Sequence, residues 1–354
     1  MIKRQILSSL LAITMLASGC YSIEVGTEST EQVTESFVTD TRTGFEDNET
    51  ETETSETKPA EPVKFNPHVH TDLASELVTE DMWNAFFNAC DAIRAGEDTF
   101  ECASKEAYEW SIAESTFGLL FPAACTKVVG DGYGNGTGKL KYLMDKNEYQ
   151  ERQKAFEAEI ERILNEAVRS DYSDLEKALG LYDYMSKYWI YDERDITANI
   201  DDFGNYACLM NKNGICSEIG YAYSYLLLQV GVEAMPFETS GDHMWTYVVI
   251  GGQGYHIDVT WALHGSIPEA KTLLRYFMMT EQDRIDDGLD KARFAAPMIW
   301  PWKADYDIAR FTADDETFKQ IRYGAMFQEM DTEKNVIRYI SAKGDIEELS
   351  YGDL

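Results

Sequence analysis

Apolar residues recur at helical spacing over several stretches of the chain and at strand spacing over one block near residue 250. Phe156, Ile160, Ile163 and Leu164 fall on one face of a stretch from about Glu148 to Val168, which predicts a long amphipathic helix. Leu175, Ala178, Leu179, Tyr182 and Met185 predict another from Asp174 to about Trp189, with Ser173 or Asp174 as its cap. Ile219, Ala222, Tyr223, Leu226, Leu227 and Val230 predict a third that begins at Cys216 and closes at Gly231. Nearer the N-terminus, Thr79-Glu80-Asp81-Met82 has the form of a capped helix start, followed by Trp83, Phe86, Phe87 and Ile93.

The strand block reads Trp245 to Ile250, with His243 at its entrance, then the reversal Gly251-Gly252-Gln253-Gly254, then a returning strand from Tyr255 to Thr260. A turn on Gly251-Gly252 sets position 258 opposite 245 and 260 opposite 243; a turn on Gly252-Gln253 sets 258 opposite 247. Either register puts His243 and Asp258 on one face, because side chains alternate with period two. The five glycines from Gly130 to Gly138 form a loop or hairpin; they lack the Lys-Ser/Thr ending of a phosphate loop. Val336 to Ile340, followed by Lys343-Gly344-Asp345, predicts a late hairpin. Together these elements predict an α+β fold: a mostly helical region at 66–168, a core at 169–300 and an extension at 301–354. Whether the first of these stands apart or wraps around the core is left open by the pattern.

Charge changes the picture at the N-terminus. The chain of 354 residues has a formal net charge of −32, which argues against a nucleic-acid partner, since phosphate recognition needs a basic face. Lys3 and Arg4 precede an apolar run from Ile6 to Leu16, of signal-peptide length and too short to span a membrane. The run ends Leu16-Ala17-Ser18-Gly19-Cys20, which resembles the bacterial lipobox, with Ala17 where leucine is usual. The expectation is a signal peptide at 1–19, lipidation of Cys20, and an extracytoplasmic protein anchored to the bacterial cell membrane. Tyr21 to Pro62 carries 12 acidic and 2 basic residues and almost no core-forming ones. It cannot bury enough apolar surface to offset its ordering entropy, so a disordered tether over 20–65 is expected, with the stretch from Tyr21 to Pro62 alone about 140 Å long when fully extended. Folded structure is expected from near Val69.

Candidate chemistry lies between Asn213 and Trp261. Cys216 stands at the start of a buried helix, where the positive end of the helix dipole favours a thiolate. A histidine and a carboxylate on a nearby strand face supply what a cysteine nucleophile needs: a base beside it and a third group that fixes the base's tautomer. His256 shares the face of Asp258 and on spacing alone competes with His243 for the role of base. Cys208, Cys216, His243 and His256 do not have the spacing of a zinc knuckle, and no metal or cofactor is expected. Beyond Cys20 five cysteines remain, an odd number that leaves at least one thiol unpaired.

Gly-Ile-Cys-Ser-Glu-Ile-Gly-Tyr-Ala, Gly-Asp-His-Met-Trp and Gly-Tyr-His-Ile-Asp-Val-Thr-Trp, in that order, resemble the transglutaminase-like superfamily of bacteria and archaea. The likeness runs from about Asp174 to Arg284, with Tyr191-Asp192 and Arg275-Tyr276-Phe277 on its flanks. It implies a papain-like core with Cys216 as nucleophile, His243 as base and Asp258 as orienting carboxylate, and it sets His256 aside. Asn205-Tyr206-Ala207 resembles the segment before the family's cysteine loop, which makes Tyr206 a candidate oxyanion donor beside the Cys216 amide. Met244 departs from the family, which usually has a small residue there, and is expected to narrow the pocket. The implied function is a cysteine protease, amidase or acyltransferase that works through a thioester. Its substrates would be peptides, surface proteins or peptidoglycan stems. The alternative is a non-catalytic binding module on the same scaffold.

Overall fold

The computed structural model describes residues 60–192, 204–239, 241–265, 270–296, 308–352 and 354. They belong to one unit, Ala60–Leu354. The expected signal peptide, Cys20, the tether up to residue 59 and residues 301–307 of the extension lie outside the described residues.

Chain entry is earlier than the pattern predicts. The Val63 amide donates to Asn165 Oδ1 (2.9 Å) and the Phe65 amide to Glu161 Oε1 (3.1 Å), so an extended segment is docked before Val69. Helix α1 (Glu80–Ala95) starts where Thr79 Oγ1 accepts from the Met82 amide, and stops at Gly96, whose φ of 74° is left-handed. Strand β1 (Thr99–Glu101), helices α2 (Lys105–Ser111) and α3 (Glu114–Leu120), and strands β2 (Val128–Gly134) and β3 (Thr137–Tyr142) follow. The glycine-rich stretch is thus a hairpin, completed to a small antiparallel sheet in the order β1-β3-β2. Helix α4 (Lys146–Ala167) begins two residues before the predicted start, because Asp145 accepts from the Asn147 and Glu148 amides.

Helix α5 (Asp174–Tyr188) is capped by Ser173, with Glu176 returning the bond, and its five predicted core residues are fully buried. Short strand β4 (Ile190–Tyr191), helix α6 (Gly204–Asn211) and strand β5 (Asn213–Gly214) lead into α7 (Cys216–Gln229). Helix α7 is buried along most of its length, its few polar side chains included. It packs on β6 (Glu233–Thr239) and β7 (His243–Ile250), with α5 behind it. Strand β8 (Gln253–Ile257), helix α8 (Glu281–Asp286) and β9 (Phe294–Ala295) complete the core, whose antiparallel sheet has the order β8-β7-β6-β9. A meander of β10 (Met326–Asp331), β11 (Val336–Ile340) and β12 (Ile346–Ser350) ends the chain. The late hairpin is its second half. The fold is α+β, with a cysteine-bearing helix laid on an antiparallel sheet.

The first hundred folded residues pack against this core and share its hydrophobic cluster. The Asn66 amide and carbonyl pair with the Gln229 side chain at the end of α7, both at 2.8 Å. Thr71 Oγ1 donates to Glu233 Oε2 (2.7 Å) on β6, and Asn205 Nδ2 on α6 donates to the Gly118 carbonyl (3.1 Å) on α3.

Candidate active site

The hairpin of β7 and β8 turns on Gly251 and Gly252, with φ of 59° and 78°, a backbone that glycine adopts without strain. Ile250 pairs with Gln253 and Thr246 with Ile257, which is the first of the two registers the sequence allows. The returning strand is shorter than predicted. It ends at Ile257, and Thr260 lies in a 3₁₀ turn that runs to Ala262. Asp258 therefore sits just past the strand end, its carboxylate fully buried.

Helix α7 reaches this hairpin because of Gly220. A Cβ there would stand 3.2 Å from Met244 Cγ and 3.3 Å from the Trp245 carbonyl. One turn further on, Ser224 Oγ and Thr246 Oγ1 are 3.0 Å apart. Helix and strand thus run in the same direction. Four residues back from Gly220, about 6 Å along the axis, stands Cys216. Two residues back from Trp245, about 7 Å along the strand, stands His243. Met244 lies in this helix–strand contact, buried against Gly220, rather than in a pocket.

His243 Nε2 is 2.6 Å from Asp258 Oδ2. Cys216 also acts on this imidazole, raising it alongside Asp258; since Nε2 faces the carboxylate, Nδ1 is the nitrogen left for a thiol. Burial alone would favour neutral imidazole. The charge and hydrogen bond of Asp258, joined by Cys216, outweigh it and raise His243 to about 9. Trp261 stacks on the ring at a centroid distance of 4.7 Å and an interplanar angle of 16°, with Trp245 further off at 6.1 Å and 23°. Both tryptophans line the imidazole, as walls rather than reactants.

Cys216 itself is partly exposed. As the first residue of α7, its amide has no intrahelical acceptor and is available to an oxyanion. The loop before it is held by Glu218, whose carboxylate accepts from the Ile215 amide (3.0 Å) and the Gly204 amide (2.6 Å). Tyr206 is committed to α4: its ring stacks on Phe156 at 5.4 Å, and the Arg152 guanidinium lies 3.3 Å from its centroid. These contacts place the ring in a packing interface, so an oxyanion role would fall to its hydroxyl alone.

His256 is built into a different environment. Its Nδ1 accepts from Trp245 Nε1–H at 2.9 Å, and Phe237, Tyr247 and Phe294 surround the ring. Burial, reinforced by the charge of Arg284, pulls it down to about 3. A neutral, fully enclosed imidazole with its nitrogen engaged by tryptophan is packing, not a base for Cys216.

Arg284, on α8, takes part in the site without having been singled out by the pattern. Fully buried, it donates from Nη2 to Asp258 Oδ2 at 2.8 Å. Its guanidinium carbon lies 4.6 Å from the Trp245 ring centroid and 4.5 Å from that of Trp261. The one available signal was its place at the end of the stretch that resembles the family; an arginine on a short polar helix otherwise reads as surface.

No family model matches the chain, and no curated protein matches it. Among solved structures the chain is similar to a "Putative Cysteine Protease" from Cytophaga hutchinsonii, at 11% identity and a TM-score of 0.26 over 51% of this chain and 68% of that one. It is also similar to a "TGase", at 16% identity and a TM-score of 0.25 over 41% of this chain and 47% of that one. Likeness at this level carries no chemistry across, and the reading of the site rests on its own geometry.

Proposed function

We propose that this chain is a cysteine enzyme acting on amide bonds through a Cys216–His243–Asp258 triad. One observation supports the reading: an imidazole held by a carboxylate at 2.6 Å is also raised by a cysteine at the start of a buried helix. The Cys216 thiolate attacks an amide carbonyl, and the Cys216 amide stabilises the oxyanion that forms. His243 gives its proton to the leaving amine as the C–N bond breaks, which leaves a thioester. Water, deprotonated by the same imidazole, then yields the acid; an amine yields a new amide. Asp258 keeps Nε2 protonated and Nδ1 turned to sulfur.

Lipidation of Cys20 would hold this chemistry at the outer face of the cell membrane, with peptides, surface proteins or peptidoglycan stems in reach. The test is a substrate screen on wild type and Cys216→Ala, with amide hydrolysis and amine incorporation read separately. Activity should appear in one channel and fall to background in the variant. Full activity in Cys216→Ala would remove the mechanism; silence in both channels with every substrate class would favour a binding module.

A further inference from the structure

Asp258 Oδ2 is a shared atom. His243 Nε2 approaches it at 2.6 Å and Arg284 Nη2 at 2.8 Å, while Oδ1 accepts from the Trp261 amide at 3.2 Å. Three donors from three places in the chain fix the carboxylate in one rotation. A fully buried guanidinium is a costly group to retain when a neutral side chain could fill the same space. What surrounds Arg284 is built to keep it charged: Asp258, Asp287 Oδ2 at 3.5 Å from Nη1, and the faces of two tryptophans.

We propose that Arg284 is a positioning residue for the triad, holding Asp258 by the oxygen that faces His243 and sharing that carboxylate's charge with the imidazolium. The proposal rests on the triad reading above. Its chemical sense lies in proton transfer. An imidazolium in a private buried pair with a carboxylate is held too firmly to serve as an acid, and catalysis is best when the acid's strength matches its task. A second cation on the same oxygen weakens that hold. His243 also feels Cys216 from α7, and its chain neighbour Asp242 is ion-paired with Arg293. Asp258 also feels His243 and Arg284, with Tyr182 and Tyr276 nearby but kept neutral by burial. Arg284 is balanced by Asp258 and Asp287 and acts on neutral His256.

The test is an NMR titration of the full chain labelled with ¹³C-histidine, with the His243 signal among the five histidines assigned through His243→Gln. In Arg284→Gln the His243 midpoint should rise by about one unit, the scale of a close charge. Arg284→Lys, which keeps the cation, should stay within about half a unit of wild type. Asp287→Asn, which leaves Arg284 less compensated, should move the midpoint down by a few tenths. A folded Arg284→Gln protein with an unmoved or lowered midpoint overturns the proposal. If that variant does not fold, an unmoved midpoint in Asp287→Asn overturns it. The titration needs no substrate, so failure here is distinct from failure of the triad, which Cys216→Ala reports.

Discussion

In the proposed triad His243 is the residue on which the chemistry would turn, and its charge is set against its burial. Desolvation disfavours imidazolium, yet Asp258 and Cys216 carry the group from an ordinary 6.5 to about 9. A folded value above the unfolded one means that the interaction stabilises the fold fully below about pH 6.5 and is lost as pH rises through about 9. Turnover should therefore fall on the alkaline side with an apparent midpoint near 9, a value that belongs to the coupled groups rather than to one nitrogen. In Asp258→Asn the attraction is gone and desolvation remains, so the midpoint should drop to 6.5 or below. The rate should fall about 10²–10⁴-fold, the range of a lost acid–base partner. A pH–rate profile of the variant checks both; an alkaline limb still near 9 would mean that Asp258 does not act on His243. The approach of His243 to Asp258 and the place of Cys216 at the start of α7 were legible because strand alternation and a helix start each leave a local pattern. His256 was not separable by that pattern, since it shares the face of Asp258; only the aromatic cage around it tells the two histidines apart. Arg284 was not legible because its partner lies 26 residues away across a loop, and separation of that kind leaves no period in the sequence.

Among the elements, α7 and β7 decide whether thiol and imidazole meet. Their approach depends on the missing side chain at Gly220. Replacing it with alanine would gain up to about 1 kcal/mol of helix propensity. The new methyl would press on Met244 and, less yieldingly, on the Trp245 backbone, and overpacking of this kind costs about 1–3 kcal/mol. Gly220→Ala should therefore be less stable by about 1 kcal/mol in denaturant unfolding and several-fold slower in turnover, because α7 shifts away from β7. Equal or greater stability with full activity would show that this contact does not position the site. Helices α1 and α5 were legible because each carries an apolar stripe with a capping residue before it, Thr79 and Ser173. Ends were less so: Asp145 starts α4 early, and the returning strand ends at Ile257, ahead of a 3₁₀ turn at Thr260–Ala262. Strands β1, β4, β5 and β9, of two or three residues, are too short to show alternation and exist through their neighbours.

Taken as a whole, the molecule builds its site from one stretch of chain and supports it with others. The N-terminal region was left open between a separate domain and a wrapping layer, since what joins it to the core is a shared apolar cluster and polar pairs at long range: Asn66 with Gln229, Thr71 with Glu233, Asn205 with Gly118. None of these pairs has a signature in local pattern. The five cysteines beyond Cys20 form no disulfide with one another, so an odd count here reflects the absence of any such pair among them. Burial separates them. Cys90, Cys102 and Cys208 are enclosed, and Cys125 is raised to about 11 by burial and by Glu114. Only Cys216 combines partial exposure with an imidazole and a helix N-terminus. The most direct measurement is iodoacetamide labelling at pH 6, read by peptide mapping, on wild type and His243→Ala. Cys216 should be modified first and alone among the five in wild type, and at least tenfold more slowly in the variant. Labelling that spreads over Cys125 and Cys216 alike, or a Cys216 rate indifferent to the loss of His243, would contradict the triad.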